Sequence, residues 1–161
     1  MRVAVYSRTF DKDFLQHIKD FFHCLGEYGF EVSVYQDFLQ FLNQRFDYVP
    51  YYHDTFTGYQ DIRNDIDFVF SIGGDGTFLD TLSLVRDTGI PVIGINSGKL
   101  GFLASISKDC IKEAIGSLYH GNYSTEERSL LSMSSDNKEL DRFGYALNDI
   151  TIQKKESEMI T

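Results

Sequence analysis

Apolar residues in the first three quarters of the chain alternate between short runs of strand length and longer stretches with helical spacing. Val3–Tyr6 is a compact apolar run, and Glu31–Tyr35 carries β-branched residues in alternation, as buried strands do. By the same criteria we predict strands at 3–6, 31–35, 67–72 and 92–95, and helices at 14–25, near 38–42, at 78–85 and at 106–120. Strands that alternate with helices are typical of a parallel sheet, so we predict an α/β fold with a Rossmann-like parallel sheet flanked by helices.

Two regions do not follow this alternation. Residues 47–66 are rich in Tyr, Asp and Asn without a clean period, and we favour the interpretation that they cover one edge of the sheet over a ligand-facing loop. After about residue 122 the pattern changes to strands at 129–134 and 144–153, joined by a polar turn at 135–138. We therefore predict an α/β domain at 1–122 and the start of a β-rich second domain at 123–161. Since two hairpin strands do not make an independent domain, we expect the chain to be part of a larger protein.

Charge and composition narrow the possible partners. The chain has 24 acidic and 15 basic residues and a formal charge of −9, which argues against a nucleic-acid or anionic-membrane partner. No stretch is apolar enough to span a bilayer, and the first residues do not resemble a signal peptide, so we predict a cytoplasmic protein. The distant cysteines Cys24 and Cys110 predict buried, reduced thiols. The histidines show no ligand spacing, and we assign no metal ligand.

The stretch from Phe68 to Leu79 carries the clearest chemical signal. An apolar strand ends at Gly73-Gly74-Asp75-Gly76-Thr77, and helical spacing follows at once, which predicts a strand, a tight glycine-rich turn and a helix. Such a turn leaves backbone N–H groups free to bind phosphate. A carboxylate is unfavourable beside phosphate unless it binds a metal, takes a proton or holds a sugar hydroxyl. The alternatives are that Asp75 or Thr77 only caps the helix, or that Asp-Gly forms a hairpin turn; the glycine pair favours a ligand site.

Two further polar segments are candidates for the same site. Asn96–Gly101 follows the strand at 92–95, and loops at the carboxyl ends of neighbouring parallel strands face one crevice. The segment Gly94–Lys99 is one residue short of a P-loop and is followed by Leu100 instead of Ser or Thr, so we reject that motif, and no GxGxxG fingerprint occurs. Asn148 and Asp149 interrupt a strand-prone run, where they form either a turn or a site.

Together, three motifs resemble the amino-terminal portion of the NAD kinase family. They are the Gly73–Thr77 motif, the segment Gly94–Leu103 and the segment Ala146–Ile150, in this order. The first motif also occurs in lipid kinases of the diacylglycerol and sphingosine type, and phosphofructokinases carry a close variant. The second and third motifs favour NAD kinase.

The resemblance implies that a phosphoryl group moves from ATP, or from polyphosphate, to the 2′-hydroxyl of the adenosine ribose of NAD, with Mg²⁺ or another divalent cation. It implies that Asp75 is the catalytic residue, which takes the proton of this hydroxyl or orients it. The implied binding residues are Gly73, Gly74, Asp75, Gly76, Phe102, Asn148 and Asp149. Phe102 would pack against the adenine side of the substrate, and the Asn-Asp pair would contact the dinucleotide and its ribose hydroxyls.

The chain also departs from the family pattern. Many members carry a basic residue shortly after the first motif, where this chain has Asp80, and a later Thr/Ser/Tyr-rich segment does not occur in these residues. We therefore expect the 161-residue chain alone to be a fragment with little or no kinase activity, and the full-length protein to form dimers or tetramers. The alternative functions are a lipid kinase on the same scaffold and a non-catalytic dinucleotide-binding module.

Overall fold

A computed structural model of the chain describes residues 1–62, 65–98, 101–134, 145–147 and 149. The chain divides into two compact units, Met1–Glu126 and Glu127–Thr161. The predicted boundary at residue 122, and the predicted β-rich domain that begins at residue 123, stay predictions.

A five-stranded parallel sheet forms the centre of the first unit. Its strands are β1 (Arg2–Ser7), β2 (Glu31–Tyr35), β3 (Asp54–Phe56), β4 (Phe68–Gly73) and β5 (Val92–Asn96), in the order β3-β2-β1-β4-β5. All four pairings are parallel. This order, with β1 in the centre and the chain adding strands first on one side and then on the other, confirms the predicted Rossmann-like fold.

Four helices connect or flank the strands. They are α1 (Leu15–Glu27), α2 (Gln36–Phe46), α3 (Asp75–Val85) and α4 (Ile111–Tyr119), with short 3₁₀ turns at Lys12–Phe14, Tyr59–Asp61 and Lys108–Cys110. The apolar stripe of α1 is buried, and the helix ends where Gly29 adopts a left-handed φ of 67°. Phe30 N–H then donates to the Leu25 carbonyl at 3.0 Å, which closes the last turn.

Two predicted helix boundaries are wrong. Helix α3 begins at Asp75 and not at Phe78, because apolar spacing detects only the residues that face the core. Ile106 does not belong to a helix: it forms a parallel bridge with Ile95, and α4 begins five residues later.

The core is built from the central strands and the faces of the helices that cover them. Five of the six residues of β1 and all six of β4 are buried, as expected for strands covered on both sides. The rings of Phe21 in α1 and Phe70 in β4 meet edge to face at 5.1 Å. Each such fully buried side chain stabilises the fold by about 1.5–3 kcal/mol relative to exposure, so the core fixes the carboxyl ends of β1 and β4.

The described residues of 47–66 cover an edge of the sheet, as favoured from the sequence, and they also supply the edge strand β3, which was not predicted. Val32 N–H donates to His53 Nδ1 at 3.0 Å, and the Tyr51 hydroxyl lies 3.3 Å from His53 Nε2. The Tyr51 ring packs over Gly26 of α1. His53 and Tyr51 therefore contact the backbone of β2, each other and the surface of α1.

The cysteine prediction is half right. Cys24 is buried on α1, and burial raises the pKa of its thiol. Cys110 is exposed, because it ends a 3₁₀ turn and lies outside the buried stripe of α4, which consists of Ile111, Ile115 and Leu118.

Within the described residues of the second unit, β6 (Leu131–Ser132) and β7 (Tyr145–Ala146) form an antiparallel pair. Both lie inside the predicted strands 129–134 and 144–153, and β6 is shorter than predicted. Most of the second predicted strand lies outside the described residues.

Candidate active site at the carboxyl edge of the sheet

The two glycine-rich loops meet at one edge of the sheet, as predicted. Gly73 at the end of β4 is in register with Asn96 at the end of β5, and Ser97 N–H donates to the Gly73 carbonyl at 3.3 Å. The strand order reverses between β1 and β4, and a crevice outside the carboxyl ends of the strands at such a point is where open α/β sheets bind ligands.

Gly73 is required by close packing within the first loop. A Cβ atom at this position would lie 2.3 Å from Thr77 Oγ1, closer than the non-bonded contacts that Cβ atoms make in proteins. Gly74 and Gly76 are different, since they are exposed and a Cβ at either position would meet no atom within 4 Å. The absence of side chains at these two positions therefore leaves the backbone at the start of α3 open to a ligand.

The Asp75 carboxylate binds the segment that follows the second loop. Its Oδ2 accepts a hydrogen bond from Phe102 N–H at 2.9 Å, and its Oδ1 accepts from Leu103 N–H at 2.9 Å and Ala104 N–H at 3.1 Å. Gly74 is the N-cap of α3, and no side-chain cap bond is formed. The helix-cap interpretation is therefore wrong, and so is the Asp-Gly hairpin, because a helix begins at Asp75.

The three donors change the acidity of this carboxyl group. They hold the pKa of Asp75 below its usual range, with Ala104 N–H contributing most, followed by Leu103 and Phe102. A carboxylate that accepts several backbone N–H bonds is stabilised in its charged form. Asp75 is therefore ionised at neutral pH, a weak base but a permanent hydrogen-bond acceptor.

The second loop is held by a residue that the sequence analysis did not single out. Asn96 is 3% exposed; its Oδ1 accepts from Gly98 N–H at 2.7 Å, and its Nδ2 donates to the Ala104 carbonyl at 3.4 Å. The Asn-Ser-Gly sequence after a strand is a signal for this type of turn and could have identified it. Gly94 in β5 allows the same segment to approach, since a Cβ there would lie 2.7 Å from Ala104 Cα.

The other predicted binding residues differ in what the structure shows. The side chain of Phe102 is 97% exposed although its backbone is bound to Asp75, so its apolar ring is presented to solvent from a fixed position. Asn148 lies outside the described residues. Asp149 is exposed in the second unit.

The position at which the chain departs from the family pattern has an ion pair. Asp80 Oδ2 on α3 lies 2.8 Å from Arg8 Nε, and Arg8 directly follows β1. The Arg8 side chain is 64% exposed, so this pair contributes little to stability. It places a cation at the carboxyl edge of β1, which the sequence analysis did not identify.

Two searches of the described residues bear on metals and membranes. No group of three or more His, Cys, Asp or Glu residues in the described part of the chain could hold a metal ion. No helix in that part is long and apolar enough to cross a bilayer.

The sheet order and the paired glycine-rich loops define the class of α/β domains that bind nucleotides or phosphates at the switch point of a parallel sheet. Comparison with known families narrows this class: the model of the ATP-NAD kinase N-terminal domain matches residues 8–123. The chain belongs to the NAD kinase family, as the three motifs predicted.

Known proteins agree with this assignment. The chain is 39% identical over 158 residues to an NAD kinase of Bacteroides fragilis, covering 98% of the chain and 53% of that protein. It is 32% identical over 164 residues to an NAD kinase of Flavobacterium johnsoniae, covering 100% of the chain and 55% of that protein. The chain thus spans about half the length of these curated relatives.

A solved structure shares the fold. The crystal structure of yeast NADH kinase complexed with NADH superposes with a TM-score of 0.64, at 24% sequence identity, over 84% of this chain and 44% of that one. At this identity the likeness supports the fold alone.

Proposed function

We propose that the intact protein transfers a phosphoryl group to the 2′-hydroxyl of the adenosine ribose of NAD and so forms NADP. The observation that carries this proposal is the ionised Asp75 carboxylate, fixed by three backbone N–H groups beside the open glycine-rich start of α3. NAD is proposed as the substrate because the chain is similar to proteins named NAD kinase.

The bonds to Asp75 favour one of the two roles considered for it. A carboxylate offers about four lone-pair positions, and three are used by backbone N–H groups, so about one remains for a substrate hydroxyl. Phosphoryl transfer depends chiefly on positioning and charge stabilisation and needs little proton abstraction early in the reaction. We therefore propose that Asp75 orients the 2′-hydroxyl by accepting its hydrogen bond, and receives its proton only late in the transfer.

The remaining roles follow from what each group can offer. Backbone N–H groups at Gly74 and Gly76 suit phosphate oxygens, and the exposed ring of Phe102 suits the flat face of adenine. Gly73 keeps the first loop tight against Thr77. Asn148 and Asp149 are proposed to contact the dinucleotide and its ribose hydroxyls, on the family resemblance alone.

The donor is ATP or polyphosphate, and the divalent cation is proposed to arrive with it. The described residues do not offer three clustered ligands for a resident metal, and Mg²⁺ commonly binds through substrate phosphates and water. The full-length protein is proposed to act in the cytoplasm as a dimer or tetramer.

The test uses the intact protein with NAD, ATP and Mg²⁺, and NADP is the product measured. Polyphosphate replaces ATP in a parallel reaction, and diacylglycerol or a sphingoid base replaces NAD in two others. We expect NADP from at least one donor, no lipid phosphate, and little or no NADP from the 161-residue chain alone. Phosphorylation of a lipid without formation of NADP would show that the protein is a lipid kinase on the same scaffold.

A further inference from the structure

Gly101 and Asp75 are in direct contact, although they lie on different loops. A Cβ atom on Gly101 would lie 2.2 Å from Asp75 Oδ1 and 2.7 Å from Oδ2. The carboxylate thus occupies the space that any other side chain at position 101 would need. This contact explains a glycine at position 101, since only glycine has no side chain to place there.

This contact closes a small polar unit that we call the clasp, which consists of Asp75, Gly101 and the N–H groups of Phe102, Leu103 and Ala104. The clasp joins the start of α3 to the segment after β5. Hydrogen bonds to a charged acceptor are stronger than neutral ones, so three together restrain this segment firmly.

The clasp also determines where Phe102 is held. The Phe102 side chain is 97% exposed, so side-chain packing does not fix its position. The restraints come from its own N–H bond to Asp75 Oδ2 and from the two bonds of the residues that follow.

We propose that Gly101 is a positioning residue. Because Gly101 has no side chain, the Asp75 carboxylate can bind the N–H groups of the clasp, and these bonds hold Phe102 at the crevice where the substrate binds. The clasp itself is independent of the reaction, whereas its effect on the substrate rests on the proposed function. Gly101 acts through Asp75 and Phe102 and does not itself touch the reacting atoms.

Gly101→Ala tests this proposal without removing the carboxylate. The three atoms nearest to the new Cβ belong to the end of the Asp75 side chain, which can rotate away, so we expect the fold to be retained while the clasp opens. Gly58→Ala is the matched control, because Gly58 is not part of the clasp, has an extended φ of −169° and would place its Cβ more than 4 Å from any atom beyond its chain neighbours. Asp75→Asn is a second variant, since its amide group would place a donor against one of the backbone N–H groups.

The first measurement is hydrogen exchange of the peptide that covers residues 101–106 in the intact protein. We expect Gly101→Ala and Asp75→Asn to exchange about tenfold faster or more, because each lost bond to a charged group weakens protection by roughly this factor. Gly58→Ala should match the wild type. Unchanged exchange in both clasp variants would overturn the proposal.

The second measurement is the kinetics of NADP formation. We expect Gly101→Ala to raise the KM for NAD about tenfold, because the misplaced Phe102 weakens binding of NAD, and to lower kcat as well, because the Asp75 carboxylate has moved. Faster exchange with an unchanged KM would overturn the positioning role. A wild type that makes no NADP, but whose exchange responds to Gly101→Ala, would disprove the proposed function and leave the clasp established.

Discussion

The two edges of the central sheet both hold carboxylates, but they stabilise them by different means. At the amino edge, the Arg2 guanidinium pairs with Glu31 at 3.2 Å and with Asp54, and Arg2 N–H donates to Asp67 Oδ2 at 2.7 Å. At the carboxyl edge, the hydrogen bonds that Asp75 accepts from described residues come from backbone N–H groups.

The difference has a chemical consequence. A guanidinium beside a carboxylate neutralises the carboxylate's charge and occupies its lone pairs with parallel hydrogen bonds. Such an ion pair therefore has a structural role. Backbone N–H groups stabilise the charge without adding a cation, so Asp75 stays an anion with capacity for a further hydrogen bond. The amino edge is therefore suited to hold strands together, and the carboxyl edge to receive a hydroxyl group.

The largest stability effect is expected at the amino edge. Arg2→Met would leave the carboxylates of Glu31, Asp54 and Asp65 without the Arg2 guanidinium, and the Arg2 side chain is only 15% exposed. We expect a loss of about 2–3 kcal/mol in the free energy of unfolding, measured by urea denaturation, while NADP formation per folded molecule is retained. Arg45→Met, on the exposed surface of α2, is the control. A loss of activity at unchanged stability would contradict the proposed division between the edges.

A smaller, pH-dependent effect is expected at the carboxyl edge. Because the pKa of Asp75 is lowered in the folded protein, its contribution to stability is present above the carboxyl pKa of the unfolded chain, about 4, and is lost as the pH falls through the lowered value. The difference in unfolding free energy between wild type and Asp75→Asn should therefore be constant near neutral pH and vanish in acid. Asp61, whose pKa is lowered chiefly by the Thr57 hydroxyl, contributes equally to both proteins and cancels. A difference that stays constant as the pH is lowered through the acid range would show that the clasp does not depend on ionised Asp75.

Much of the fold can be predicted from the sequence, because buried strands and the buried faces of helices consist of apolar residues at a recognisable spacing. The strand β3 does not, since it has three residues and only Phe56 is buried. The start of α3 was missed for the related reason that Asp75 and Gly76 do not face the core.

The site was predictable in part. Three glycines and an acid in one turn indicated the first loop, and the end of β5 indicated its partner. The bonds that join them come from the backbone N–H groups of Phe102, Leu103 and Ala104, and backbone donors are the same for every residue type except proline. Gly101 is the residue type in this segment that reflects the contact, since a side chain there would collide with Asp75. This reason becomes visible only from the distance between position 101 and the Asp75 carboxylate in the structure.

In the proposed reaction, Asp75 accepts the hydrogen bond of the substrate hydroxyl. Asp75→Asn in the intact protein tests this role directly. NADP formation and NAD binding are measured together, with wild type and Gly58→Ala as references. We expect the rate of NADP formation at saturating NAD to fall by about 10²–10⁴-fold, since Asn cannot accept the proton, and NAD to bind more weakly because the clasp is open. An unchanged rate of NADP formation in Asp75→Asn would contradict the account.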